Sequence, residues 1–165
     1  MNLNFPNGLA QQWALAICFI CGFLLTGALY FEHVMGLAPC PLCMMQRIWF
    51  FLAALFAYIS LLHHPRWGIY PLLVIVCAGT GAYFSAKQLW LQNLPADQVP
   101  ACGPDLQYMI EAFPLSDVLA AMTTGTGDCA ETMWSFVGIT IPGWALLGFI
   151  VIIVCAVLQL RQGIK

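Results

Sequence analysis

Residues 2–31 carry no charged side chain, and the first charge in the chain is Glu32. Within that stretch Trp13–Phe31 (WALAICFICGFLLTGALYF) is an unbroken apolar run. A helix of about 20 such residues, rising about 1.5 Å each, crosses a bilayer core. Three further runs follow. Met44–Leu62 is interrupted by Arg47 in its first turn, Ile69–Leu91 carries Lys87 near its end, and Trp144–Leu160 is opened by Pro142 and Gly143. The period-two alternation of a membrane barrel is absent, so helices are the spanning elements. The expectation is an all-α integral membrane protein. It is a four-transmembrane-helix bundle forming a single membrane domain over residues 1–165, with spans about 13–31, 44–62, 69–91 and 144–160. A secretory signal peptide is the rival reading of the first run. It needs a basic leading region, and no Lys or Arg precedes Arg47; a retained span is favoured.

Composition agrees with lipid as the main solvent. Of 165 residues, 62% are hydrophobic and 7% charged, where a soluble domain carries roughly 25% charged residues. Five Lys/Arg and a net charge of −2 give no basic field, so nucleic acid is excluded as a partner.

The connections are uneven. His63–Gly68 is a tight turn, residues 32–43 form a short loop, and residues 92–143 form a loop too long to be a bare connection. Six of the seven acids lie in the long loop: Asp97, Asp105, Glu111, Asp117, Asp128 and Glu131. Its segment Leu106–Met122 mixes apolar and acidic residues around Pro114 and predicts a short helix on the membrane surface, with Ser116 capping Asp117–Met122. Four spans put both termini on one side, together with Arg66, Arg161 and Lys165, while Arg47 and Lys87 sit at the other. The count favours cytoplasmic termini and two extracytoplasmic loops. The tryptophans mostly fall near span ends, as in aromatic belts.

Eight cysteines divide evenly by location. Cys18, Cys21, Cys77 and Cys155 lie within spans, where lipid suppresses the thiolate, and are expected to be packing residues. Cys40, Cys43, Cys102 and Cys129 lie in the two loops on one face, on the side where disulfides persist. Cys40-Pro-Leu-Cys43 immediately precedes or opens the second span, and the unpaired amides and partial positive charge of a helix N-terminus favour a thiolate. Arg47 follows Cys43 by one turn on the same face, where it stabilises a thiolate or holds a polar headgroup. Zinc is disfavoured because Cys102 and Cys129 are far apart in sequence, and haem attachment because Met44 follows Cys43 where a histidine would be needed; no metal is expected. Two redox-active disulfides at a membrane surface is the leading reading, and a scaffold with structural disulfides is the alternative. Glu32 and His33 are read as interfacial polar residues with proton transfer as a second use, and Lys87 as a snorkelling residue or a headgroup contact.

The run Cys40-Pro-Leu-Cys-Met-Met-Gln-Arg47, then Cys102, then Gly127-Asp-Cys-Ala-Glu131 with Trp134, Phe136, Gly138, Pro142 and Trp144 resembles the disulfide bond formation protein B (DsbB) family. Those proteins are four-helix thiol oxidases of the bacterial inner membrane. The span cysteines fall outside the family pattern, and the N-terminus lacks its basic residues. The resemblance implies a relay. A Cys102–Cys129 disulfide would oxidise a periplasmic thioredoxin-like partner (DsbA-like), whose thiolate attacks Cys102. Cys129 would pass the electrons on by attacking Cys40, and Cys43, with Arg47 beside it, would meet a membrane quinone, ubiquinone or menaquinone. It also implies periplasmic cysteine loops.

Overall fold

A computed structural model describes residues 8–63, 68–95, 97–103 and 106–163. The sequence-based readings that involve Arg66, Trp67, Asp105 and Lys165 lie outside the described residues.

Four long helices dominate: α1 (Leu9–His33), α2 (Pro41–Leu62), α3 (Ile69–Gln92) and, after the long loop, α6 (Ile141–Gly163). They have 25, 22, 24 and 23 residues. At about 1.5 Å per residue each exceeds an approximately 30 Å hydrocarbon core. All four are longer than the apolar runs predict. The extra turns are polar or proline-headed residues that a helix accepts beyond the lipid: Gln11 and Gln12 at the start of α1, Pro41 in α2, and Pro142 in α6. Proline suits a first turn because its missing N–H would have had no partner there.

α1 packs on α2 and α6, and α3 packs on α2 and α6, which closes a ring of four. The chain direction alternates. The indole of Trp13 donates to Gln162 Oε1 at 3.1 Å, and Gln159 donates to Ser60 Oγ at 2.8 Å. The start of α1 and the ends of α2 and α6 therefore meet at one end. The opposite end gathers Glu32, Cys40, Gln92 and Ile141. The chain is a multi-pass membrane protein. Its outward face is apolar, with Phe19 78% and Phe23 72% exposed, which suits lipid and not water.

The core within the ring contains Ile17, Phe50, Ala53, Ala57, Val74, Ala78, Phe149 and Ile152, together with Cys21, Cys77 and Cys155. Cys18 packs against it and donates to the Ala54 carbonyl at 3.8 Å. Small residues let the helices approach, as membrane bundles require. The rings of Phe50 and Phe149 stack with centroids 3.8 Å apart. Gly81 lies flat against Phe149, leaving no room for a Cβ.

The long loop is built differently from its prediction. Instead of one helix there are two, α4 (Leu106–Ala112) and α5 (Leu115–Thr124), broken at Pro114. Ser116 is not the cap. Pro114 holds that position, and the Ser116 hydroxyl instead bonds Asp117 Oδ1 at 3.3 Å. Met109 and Val118 pack inward with Met44, while the exposed side of the pair mixes Tyr108, Ile110 and Leu115 with the acids Glu111 and Asp117. A 3-10 turn (Gly127–Ala130) and a hairpin of β1 (Ser135–Phe136) and β2 (Ile139–Thr140) complete the loop. This hairpin, turned by Val137 and Gly138 at φ 55° and 76°, is the one departure from an all-α chain among the described residues, and its two left-handed residues are those of a tight hairpin turn.

Gly81→Ile is expected to lower stability by about 1–3 kcal/mol through overpacking against Phe149. Thermal unfolding of the purified protein in detergent checks this, and an unchanged midpoint would refute the packing assignment.

Candidate functional site

The head of α2 is shaped by its own sequence. Cys40 is the N-cap, extended at φ −69° and ψ 160°, and Pro41 fixes the first helical position. The cap side chain is a sulfur, and Cys40 Sγ accepts from the Cys43 backbone N–H at 3.3 Å. The helix then carries Cys43 back over the cap, with the two sulfurs 2.6 Å apart. Cys43 thus sits in the first turn of the span, where the sequence puts it.

A third sulfur arrives from the long loop. Cys129 is fully buried in the 3-10 turn, among Cys40, Leu42, Phe84 and Leu91. Its thiol is held well below the ordinary range because Cys40 donates to it, and backbone hydrogen bonds from Leu42 and Thr126 add to this against the effect of burial. Cys40 is pushed the other way, upward, by the neighbouring sulfurs of Cys129 and Cys43 and by burial. The amides of Leu42 and Cys43 are two of the donors that a helix start leaves unpaired, and each is aimed at a sulfur.

Cys102 is exposed. Its thiol is raised by a hydrogen bond to Asp128 and by that carboxylate's charge. Its segment is tied to the Cys129 turn, where Gly127 N–H donates to the Ala101 carbonyl at 3.2 Å. A Cβ on Gly127 would meet the Cys102 amide nitrogen at 2.9 Å and its sulfur at 3.1 Å, so only glycine allows this approach. Cys129 packs in one cluster with Cys40, because its turn docks on the head of α2 and on α3.

Arg47 borders the same cavity as Cys43. One turn after Cys43, its guanidinium reaches across to α1, pairing with Glu32 and donating to the Ala28 carbonyl at 3.1 Å. Glu32 is thereby a partner of Arg47 and more than an interfacial residue. His33 bonds the Leu29 carbonyl of its own helix, and Lys87 donates to Thr123 O at 2.8 Å, fastening α5 to α3.

Two residues escaped the sequence reading. Gln88 of α3 is 3% exposed, and its amide nitrogen lies 3.2 Å from both Cys40 Sγ and Cys43 Sγ. Gln46, also buried, donates to Gln88 Oε1 at 2.7 Å. Glutamine near the end of an apolar run looks like any interfacial polar residue, and nothing local marks it.

Cys40, Cys43, Gln46, Arg47 and Gln88 share one wall of a cavity of about 470 Å³. The rest of its lining is mostly apolar, with Phe23, Leu24, Phe31, Pro142 and Trp144, the hairpin's Phe136 and neighbouring Trp134, and it also includes Gln92, Asp128 and Glu131. These aromatics run in series, with centroids 4.8 Å apart for Phe31–Trp134, 5.9 Å for Trp134–Phe136 and 6.4 Å for Phe136–Trp144. A lipid-facing groove between α1 and α6, lined by Phe19, Leu147 and Val151, shares Phe23, Leu24 and Trp144 with the cavity.

Fold and site together define a membrane-embedded protein of thiol–disulfide chemistry. The family model described as "Disulfide bond formation protein DsbB" matches residues 10–159. Relatives named disulfide bond formation protein B include one from Marinobacter nauticus, 50% identical over 88% of this chain and 89% of its own length. One from Hahella chejuensis is 50% identical over 88% and 90%, and "Disulfide bond formation protein B 1" of Pseudomonas aeruginosa is 39% identical over 93% and 96%. The chain belongs to the DsbB family, and its class is that of a disulfide oxidoreductase.

Asp128→Asn removes the charge that holds the Cys102 proton. At fixed neutral pH, alkylation of Cys102 by iodoacetamide is expected to quicken severalfold, because the thiolate fraction rises as the thiol's pKa falls. Peptide mass spectrometry reads the rate, and an unchanged or slower rate contradicts the pairing.

Proposed function

We propose that the protein is a thiol oxidase that reoxidises a periplasmic thioredoxin-like disulfide donor of the DsbA kind and delivers the electrons to a membrane quinone. The observation that carries this is the position of Cys40. It lies against Cys43 and shares a buried cluster with Cys129, at the wall of a largely apolar cavity.

In this reading Cys102, the exposed sulfur, takes the attack of the reduced partner's thiolate. The mixed disulfide that results frees Cys129, and the lowered pKa of Cys129 suits it to attack next, since exchange needs a thiolate and an accessible sulfur. Cys129 attacks Cys40 and releases Cys43. The tie between Gly127 and Ala101 keeps the two loop segments together during this transfer, and the Lys87–Thr123 bond restrains the surface helices.

The residues present fit a quinone. Arg47 and the amide of Gln46 offer polar contacts at one end of the cavity, the aromatic walls suit a flat ring, and the groove between α1 and α6 suits a long apolar tail. A bound quinone, ubiquinone or menaquinone, supplies a sink for two electrons and two protons. A partner of the DsbA kind is itself a strong oxidant, so its regeneration demands a stronger one. Arg47, itself held by Glu32, would hold a carbonyl of the bound quinone, and Cys43 lines the same space. The proposed setting is the bacterial inner membrane, with cytoplasmic termini and the cysteine-bearing end periplasmic.

Purified protein is expected to oxidise a reduced thioredoxin-like partner while reducing added quinone. Cys43→Ser is expected to abolish quinone reduction. Cys102→Ser is expected to block partner oxidation while the Cys40–Cys43 pair still reacts with quinone. Full turnover in both variants would refute the relay.

A further inference from the structure

Gln88 comes from α3, a helix that contributes none of the four loop cysteines, yet its side chain ends between two of them. The amide nitrogen is 3.2 Å from Cys40 Sγ and 3.2 Å from Cys43 Sγ. The amide oxygen accepts from Gln46 Nε2 at 2.7 Å. With that bond made, the oxygen is turned to Gln46 and lies 3.6 Å from Cys43 Sγ, while the nitrogen is the nearer atom to the sulfurs. A carboxamide has two N–H donors, one for each sulfur. Both glutamines are buried, at 3% and 4% exposure, where an unpaired amide would be costly. The sulfurs are therefore what satisfy the nitrogen of Gln88.

We propose that Gln88 is a catalytic residue of this site, whose amide stabilises the negative charge that appears on Cys43 when the Cys40–Cys43 disulfide opens, and that Gln46 is the residue that positions it. This rests on the relay proposed above. In the step concerned, the Cys129 thiolate attacks Cys40 Sγ. A Cys40–Cys129 bond forms and the Cys40–Cys43 bond breaks. The electron pair of the broken bond stays on Cys43 Sγ, which leaves as a thiolate. Charge passes from Cys129 to Cys43 and no proton moves.

A disulfide sulfur is a weak acceptor and a thiolate a strong one, so the Gln88 contact tightens as charge arrives. Such a difference between ground and transition state accelerates a step. Other donors near Cys43 are aimed at other partners. The Arg47 guanidinium is engaged by Glu32, the Ala28 carbonyl and Met44 Sδ. The Cys43 N–H is aimed at Cys40, and the Leu42 amide serves Cys129. Among these side chains, it is the amide of Gln88 that reaches Cys43 Sγ.

The test uses the full chain in detergent with Cys40→Ser, which frees Cys43 and keeps a capping oxygen. Iodoacetamide reacts with the thiolate, so its rate at Cys43 at fixed pH, read by peptide mass spectrometry beside the thiolate ultraviolet absorbance, reports the stabilisation. Gln88→Met keeps the volume and removes the donor. It is expected to slow alkylation about tenfold to a hundredfold, the size of a hydrogen bond to a charged group. Gln88→Glu is expected to slow it at least as much, by placing a carboxylate beside the sulfur. Gln46→Met, which leaves Gln88 but releases its oxygen, is expected to slow it less. Unchanged rates in folded Gln88→Met and Gln88→Glu would overturn the proposal, because a purely structural glutamine would lower stability and leave the rate alone. Should neither variant fold, Gln46→Met decides, and an unchanged rate there overturns it. These rates are readable whether or not the unsubstituted protein reduces quinone, so this proposal and the relay fail separately.

Discussion

A sulfur that must carry charge at the edge of a bilayer has to be met by polar groups belonging to the protein, because hydrocarbon supplies none. The start of a helix is where a membrane protein has such groups to spare. In this chain Pro39 and Pro41 bracket Cys40, making it the cap of α2. The first amides of that helix then fall on sulfur, with Cys43 N–H on Cys40 and Leu42 on Cys129. The remaining features of the site are arranged around this one helix end. The ring of four helices fixes its depth, α3 brings Gln88 to it, and the long loop brings Cys129.

The same constraint explains how the polar residues are paired. Arg47 is one turn into α2, too deep to be left unpaired, and Glu32 at the end of α1 supplies the counter-charge. Gln46 and Gln88 bond one another across α2 and α3. The cavity has polar groups beside the sulfurs and a mostly apolar, aromatic-rich lining beyond them, with Gln92, Asp128 and Glu131 also at its edge. That division suits the proposed acceptor, a ring with polar ends on an apolar tail.

Much of this was legible in the chain, and the limits have physical causes. The spans follow from the length of uncharged apolar runs, a local property. The division of the cysteines follows from the spans. Cys43 at the head of α2 follows from the prolines before it. What the sequence could not convey is which groups meet across the bundle. Arg47 is one turn from Cys43 in any helix, but its side chain turns to α1 because Glu32 and the Ala28 carbonyl are there. Cys129 lies by Cys40 because its turn docks on α2 and α3, a contact between distant parts of the chain. Gln88 has no local signature at all. Within the loop, Pro114 splits one expected helix into two, and Ser116 loses the capping position to it.

The central claim is that electrons leave protein thiols for a quinone through this site. An anaerobic single-turnover measurement tests it most directly, counting quinol formed against thiols lost when reduced partner, this protein and quinone are mixed. The account expects one quinol for each partner dithiol oxidised, as a two-electron exchange requires, with none formed when the protein is omitted. Thiol loss without matching quinol would contradict it.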